Sequence, residues 1–248
     1  METLPPSHDD LSGVRRVTPS PVKIRLYHRW SSMAAQQVRL ALSYKGIDFD
    51  SIPLPQNDDE IWYELGIARN DVALQIPQHP VYTDAVSILC HLDDWLGGIP
   101  IFNGLVNQAA WQALLSWHDL IEPVRERLYA PVLPAFTDIG LNTKDREAYK
   151  ARILHRYGMS VEALSNYRYD GFTHLAAQSN LNQLSQHLAR NRFYISNTLS
   201  ACDIIIACDL FPLQLLDGVT MPIDLLYYIQ RVEKVCHASL RSGLITQH

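Results

Sequence analysis

The sequence predicts a chain in two parts, an α/β segment followed by an all-α segment. Three observations predict it. Short strand-like runs with helical spacing between them fill residues 22–97, no convincing strand pattern follows residue 103, and Gly97, Gly98, Pro100 and Gly104 cluster between the two regions. These place a first domain at 22–97, a linker, and an all-helical domain at 104–248. Residues 1–21 hold polar, proline and charged residues without an apolar run of signal-peptide length, and read as a disordered tail.

Lys23-Ile24-Arg25-Leu26-Tyr27 alternates in polarity, as a strand does. Ser31 and Ser32 then offer hydroxyls where a helix would start, and Val38, Leu40, Ala41, Leu42 and Tyr44 follow at helical spacing. Gly46 stands where a C′ glycine stops a helix. Phe49 to Ile52 is a second strand, so the opening is strand, helix, strand, and the two strands should be parallel. A short helix from Asp58 to Leu65, a strand at Val72–Ile76 and an edge strand at Pro80–Tyr82 come next. Thr83 or Asp84 then caps a helix to Trp95. Beyond the linker, helices are predicted over Leu105–Tyr129, with a bend at Pro123, Lys144–Asn166, Gly171–Arg190, Ser200–Leu216 and Ile223–Leu240.

The 248 residues, 47% hydrophobic and 19% charged, suffice for a sizeable core without metals or disulfides. A net charge of -5 disfavours general binding of nucleic acid or anionic membrane, and no stretch approaches the roughly 20 apolar residues of a membrane span. The four cysteines, Cys90, Cys202, Cys208 and Cys236, form no CxxC pair and read as buried free thiols in a reducing, cytoplasmic setting. The ten histidines form no ligand cluster, so no metal site is expected.

Three segments carry a resemblance to the cytosolic glutathione transferase superfamily. Residues 32–47, SMAAQQVRLALSYKGI, are similar to the first helix of its omega-, zeta- and beta-like members. Val72-Ala73-Leu74 through Tyr82-Thr83-Asp84-Ala85-Val86-Ser87-Ile88 resembles its third strand and the following helix start. Leu199-Ser200-Ala201-Cys202-Asp203-Ile204 is similar to its Ser-x-Ala-Asp capping element. The resemblance implies a thioredoxin-like domain followed by an all-helical glutathione-transferase C-terminal domain, glutathione as co-substrate, a small-molecule electrophile, and a homodimer.

A hydroxyl at a helix N-terminus can donate to a bound thiolate, which the helix dipole also favours. By the resemblance Ser32 would hold the glutathione thiolate, with Ser31 as the adjacent candidate and either serine an ordinary N-cap otherwise. Met33, Val72, Ala73, Asp84, Ala85, Gln56, Trp117 and His118 would border the substrates. Two departures weaken the match. Ala73 replaces the family's cis-proline, so a trans peptide and an altered backbone are expected there. Ala85 replaces the serine that grips the γ-glutamyl carboxylate, although Asp84 retains the acidic partner of its amine. The acidic loop at residues 56–60 would repel an anion. Arg125, Glu126 and Arg127 read as a solvated helix face, and Ser200 with Asp203 as a capping box. The alternative to a transferase is a non-catalytic protein of this fold that binds a small molecule or a protein. A disulfide oxidoreductase is disfavoured by serine at the helix start.

Overall fold

The computed structural model describes residues 23–57 and 59–245, so the expected tail at 1–21 lies outside the described residues. β1 (Ile24–His28), α1 (Met33–Tyr44) and β2 (Phe49–Pro53) form the expected opening, with β2 parallel to β1 and Ile24 opposite Phe49. After α2 (Glu60–Glu64), β3 (Val72–Gln75) runs antiparallel to β1 and β4 (Val81–Tyr82) antiparallel to β3, giving the order β2-β1-β3-β4. α3 (Ala85–Leu96) closes this part, capped by Asp84, whose carboxylate accepts from the Ser87 amide at 2.9 Å.

Local rules explain α1. Ser32 caps its start, accepting from the Ala35 amide at 3.2 Å. Gly46 ends it at φ 68°, with its N–H on the Ser43 carbonyl and that of Ile47 on Leu42, the paired bonds of a Schellman motif. The helix is buried on more than its apolar stripe, because Gln36, Gln37 and Arg39 are covered as well. It lies between the sheet and the second domain. Arg39 accordingly bonds Gln36 Oε1 at 2.6 Å and the distant Ser239 carbonyl at 2.5 Å.

The helical part comprises α4 (Gln108–Tyr129), α5 (Thr137–Gly140), α6 (Thr143–Tyr157), α7 (Val161–Ser165), α8 (Arg168–Gln178), α9 (Leu181–Arg190), α10 (Ala201–Leu210) and α11 (Ile223–Cys236). Several predicted helices are divided, each for a visible reason. Gly158 at φ 65° separates α6 from α7, and Asn180 at φ 51° separates α8 from α9. α10 tightens into a 3-10 turn over Phe211–Leu215, at Pro212. His237 at φ 52° stops α11 short of Leu240. Pro123 sits inside a continuous α4. Every residue of α10 is buried, and it packs on α1, α4 and α11 at the centre of the molecule. Its start carries the expected capping box, with the Ser200 amide on Asp203 Oδ2 at 2.9 Å. Among the described residues no helix is long and apolar enough to cross a membrane.

Candidate functional site

A cleft of about 730 Å³ lies where α1, β3 and the start of α3 face α4, α6 and α10. Of the residues singled out in the sequence, Ser31, Ser32, Met33, Val72, Asp84, Ala85 and His118 line it. Gln56, Ala73 and Trp117 do not. Ala73 is fully buried opposite Tyr27 inside the sheet, and no peptide bond among the described residues is cis, so the expected trans geometry holds there. Trp117 turns towards a second cavity beside Ser179, whose carbonyl accepts its indole N–H at 3.3 Å.

The two serines at the start of α1 have different surroundings. Ser31 is bound to α5. Its amide donates to Asp138 Oδ1 at 3.0 Å and its hydroxyl to Asp138 Oδ2 at 2.6 Å. Gln56 Nε2 joins the same carboxylate at 3.0 Å, which takes Gln56 off the cleft wall and into a link between the domains. Burial pushes the Asp138 carboxyl up, and the Ser31 and Gln56 donors only partly offset this. Ser32 faces the cleft, and its oxygen accepts the Ala35 amide. A hydroxyl accepting through a lone pair keeps its proton for a second partner.

Asp84 and Ala85 bring a second helix N-terminus to the cleft. One Asp84 oxygen caps α3. The first-turn amides of α3 have no carbonyl within the helix to bond, a general property of helix starts. Within the acidic loop Asp59 is not the uncompensated anion expected from sequence, while Asp58 lies outside the described residues. Asp59 Oδ2 lies 2.7 Å from Arg69 Nη1, and Asp59 Oδ1 lies 3.8 Å from Arg29 Nη2.

The wall from α4 and α10 corrects another expectation. Arg125 is 8% exposed, not solvated, and forms an ion pair with Asp209 of α10. His118 Nδ1 lies 2.6 Å from Asp209 Oδ2, and the Tyr129 hydroxyl donates to the Asp209 carbonyl at 2.7 Å. Burial works against a charged His118, but the Asp209 hydrogen bond and charge outweigh it, so the imidazole sits above its ordinary value. Glu126 pairs with Arg156, and Arg127 lies over the Tyr167 ring at 4.6 Å.

No cysteine lines this cleft. Cys202, Cys208 and Cys236 are buried, and desolvation pushes Cys90 to about 11 and Cys202 to about 12, which keeps both thiols protonated and unreactive at neutral pH. Sequence reasoning missed Arg29, Arg69, Arg152 and Asp209. Asp209 alone left a trace, as a carboxylate in the last turn of a helix that is apolar apart from the capping Asp203.

No family model and no curated protein matches the chain. Solved structures do. Glutaredoxin 2 from Salmonella typhimurium, in complex with glutathione, superposes with a TM-score of 0.72 at 19% identity, over 90% of this chain and 99% of that one. A glutathione S-transferase from Ceriporiopsis subvermispora, also in complex with glutathione, gives 0.67 at 16%, covering 86% and 97%. Glutathione S-transferase III in its apo form gives 0.60 at 15%, covering 91% and 99%. The fold is that of the glutathione transferases. The thioredoxin-like sheet and the helical domain read from the sequence are therefore both present in the expected order. Within this glutathione-transferase fold the cleft is walled by the starts of α1 and α3 on one side and by α4, α6 and α10 on the other.

Proposed function

We propose that the cleft binds glutathione and that Ser32 holds its thiolate for attack on a small electrophile. The observation that carries this reading is the position of the Ser32 hydroxyl, on the cleft wall at the N-terminus of α1, with its oxygen already accepting an amide and its proton uncommitted. There the helix dipole and the hydroxyl both favour a thiolate over a thiol, so more of the nucleophile is ionised at neutral pH. Ser31 is not the active hydroxyl in this reading, because Asp138 engages it. The remaining Asp84 oxygen takes the γ-glutamyl amine, the Ala85 amide takes its carboxylate, and the Val72 backbone pairs with the peptide. Holding both reactants in one cleft supplies the rest of the rate. A homodimer and a cytoplasmic location belong to the same reading.

The test is calorimetric titration with glutathione, followed by turnover of an activated aryl halide. Binding together with a rate that Ser32→Ala lowers about a hundredfold or more supports the reading. A second reading is favoured by Ala85, which lines the cleft but lacks the hydroxyl that would hold the γ-glutamyl carboxylate. If no glutathione binds at millimolar concentration, the protein is instead a non-catalytic binder on this fold.

A further inference from the structure

The cleft holds more arginine than its internal ion pairs use. Arg29 follows β1, Arg69 precedes β3 and Arg152 comes from α6, and all three line the cleft. Arg29 is 1% exposed, with Nη1 on Asp71 Oδ1 at 2.7 Å and on the Asn70 carbonyl at 3.2 Å. Its Nε and Nη2 have no hydrogen-bond partner among the described residues. Arg69 reaches Asp59 at 2.7 Å and the Gln56 carbonyl at 2.6 Å. Arg152 is different. Its guanidinium lies 5.3 Å from the Tyr149 ring centroid, and among the described residues it makes no hydrogen bond or ion pair.

The charges act on one another. Burial lowers the Arg152 pKa, Asp71 opposes this, and the positive charges of Arg29 and Arg69 lower it further. Among the described residues, three guanidinium groups of the cleft thus share two carboxylates, Asp59 and Asp71, and only Arg152 forms no ion pair with either. A partly desolvated guanidinium crowded by like charges gains from an added anion, and its planar fork matches a carboxylate. Met33, Leu133, Ile153 and Tyr157 add apolar surface to the same cleft.

We propose that Arg69 and Arg152, backed by the buried charge of Arg29, form a carboxylate subsite, and that the cleft's second ligand is a molecule with a carboxylate on an apolar or unsaturated body. This rests on the thiol-activating reading for what happens to that molecule, but not for its binding.

The test uses succinate and its neutral isostere succinamide as probes, titrated into the full chain with and without glutathione. Succinate should bind and succinamide should not. Arg152→Gln should weaken succinate about tenfold or more, the scale of one charge-assisted contact, while Arg152→Lys retains part of the affinity. Both variants should melt like the parent, and glutathione affinity should change less than twofold. Equal binding of the two probes overturns the proposal, and so does succinate affinity unchanged in Arg152→Gln. If Arg152→Gln weakens glutathione as much as succinate and the two compete, the arginines serve glutathione's own carboxylate and the second-ligand subsite is refuted. Arg152-dependent succinate binding by a protein that binds no glutathione would keep the subsite and reject thiol activation.

Discussion

The two adjacent serines should separate stability from catalysis. Ser31→Ala removes the shortest of three hydrogen bonds to a buried carboxylate: the Ser31 hydroxyl donates to Asp138 at 2.6 Å, while the Ser31 amide and Gln56 Nε2 each donate at 3.0 Å. A hydrogen bond to a charged group contributes about 1.5–3 kcal/mol, and Asp138 is too buried for water to replace the lost donor. Ser32→Ala removes only an N-cap, worth about 1 kcal/mol. Urea denaturation should therefore rank Ser31→Ala as the less stable variant. Transferase turnover should rank them in reverse, with Ser32→Ala down about a hundredfold or more and Ser31→Ala down less than about tenfold. A pH series adds a further check. The folded Asp138 carboxyl sits above its ordinary value, so the fold loses stability as pH rises from that value through the raised one. Ser31→Ala deletes a donor to the ionised form, so its deficit should shrink as pH falls and Asp138 takes up a proton. A Ser31→Ala protein that is fully stable but inactive would refute both assignments.

Other expected outcomes are independent of that pair. Burial drives His28 down to about 4, so the unfolded chain takes up a proton below its ordinary 6.5 while the folded one does not. Stability should fall by up to about 3 kcal/mol as pH drops from 6.5 to 4 and then level off, and His28→Gln should flatten that decline in denaturation curves. Asp209→Asn strands the buried Arg125 and should cost about 3–5 kcal/mol by the same measurement. Ala85→Ser supplies a hydroxyl at the α3 start and should tighten glutathione by about 1 kcal/mol in calorimetry. Light scattering at micromolar protein should show a dimer of the 28.2 kDa chain, and a purely monomeric solution would count against the homodimer.

What the sequence revealed of this fold and site was what near neighbours in the chain decide. The Ser32 cap and the Gly46 stop act within one or two turns of α1, so residue type alone exposed them, as it did the box of Ser200 and Asp203. The helix divisions at Gly158 and Asn180 are equally local, but each falls inside an otherwise continuous helical pattern, where propensity is a weak prior. The roles of Ser31 and Arg125 were hidden for another reason. Asp138 stands 107 residues after Ser31, and Asp209 lies on α10, well beyond α4, so no local pattern joins either pair. Asp209 nevertheless carries a signal of its partner in the sequence. α10 reads apolar almost throughout, and a carboxylate in a helix buried on all sides requires a cation or several donors close by. An arginine on a neighbouring core helix satisfies that requirement, and α4 carries Arg125 along with the aromatic residues Trp111 and Tyr129 that the core buries. Asp209 accounts for Arg125 and Glu126 for Arg156, but among the described residues no carboxylate forms an ion pair with Arg152, and that unengaged guanidinium is what singles out a place for an anionic ligand.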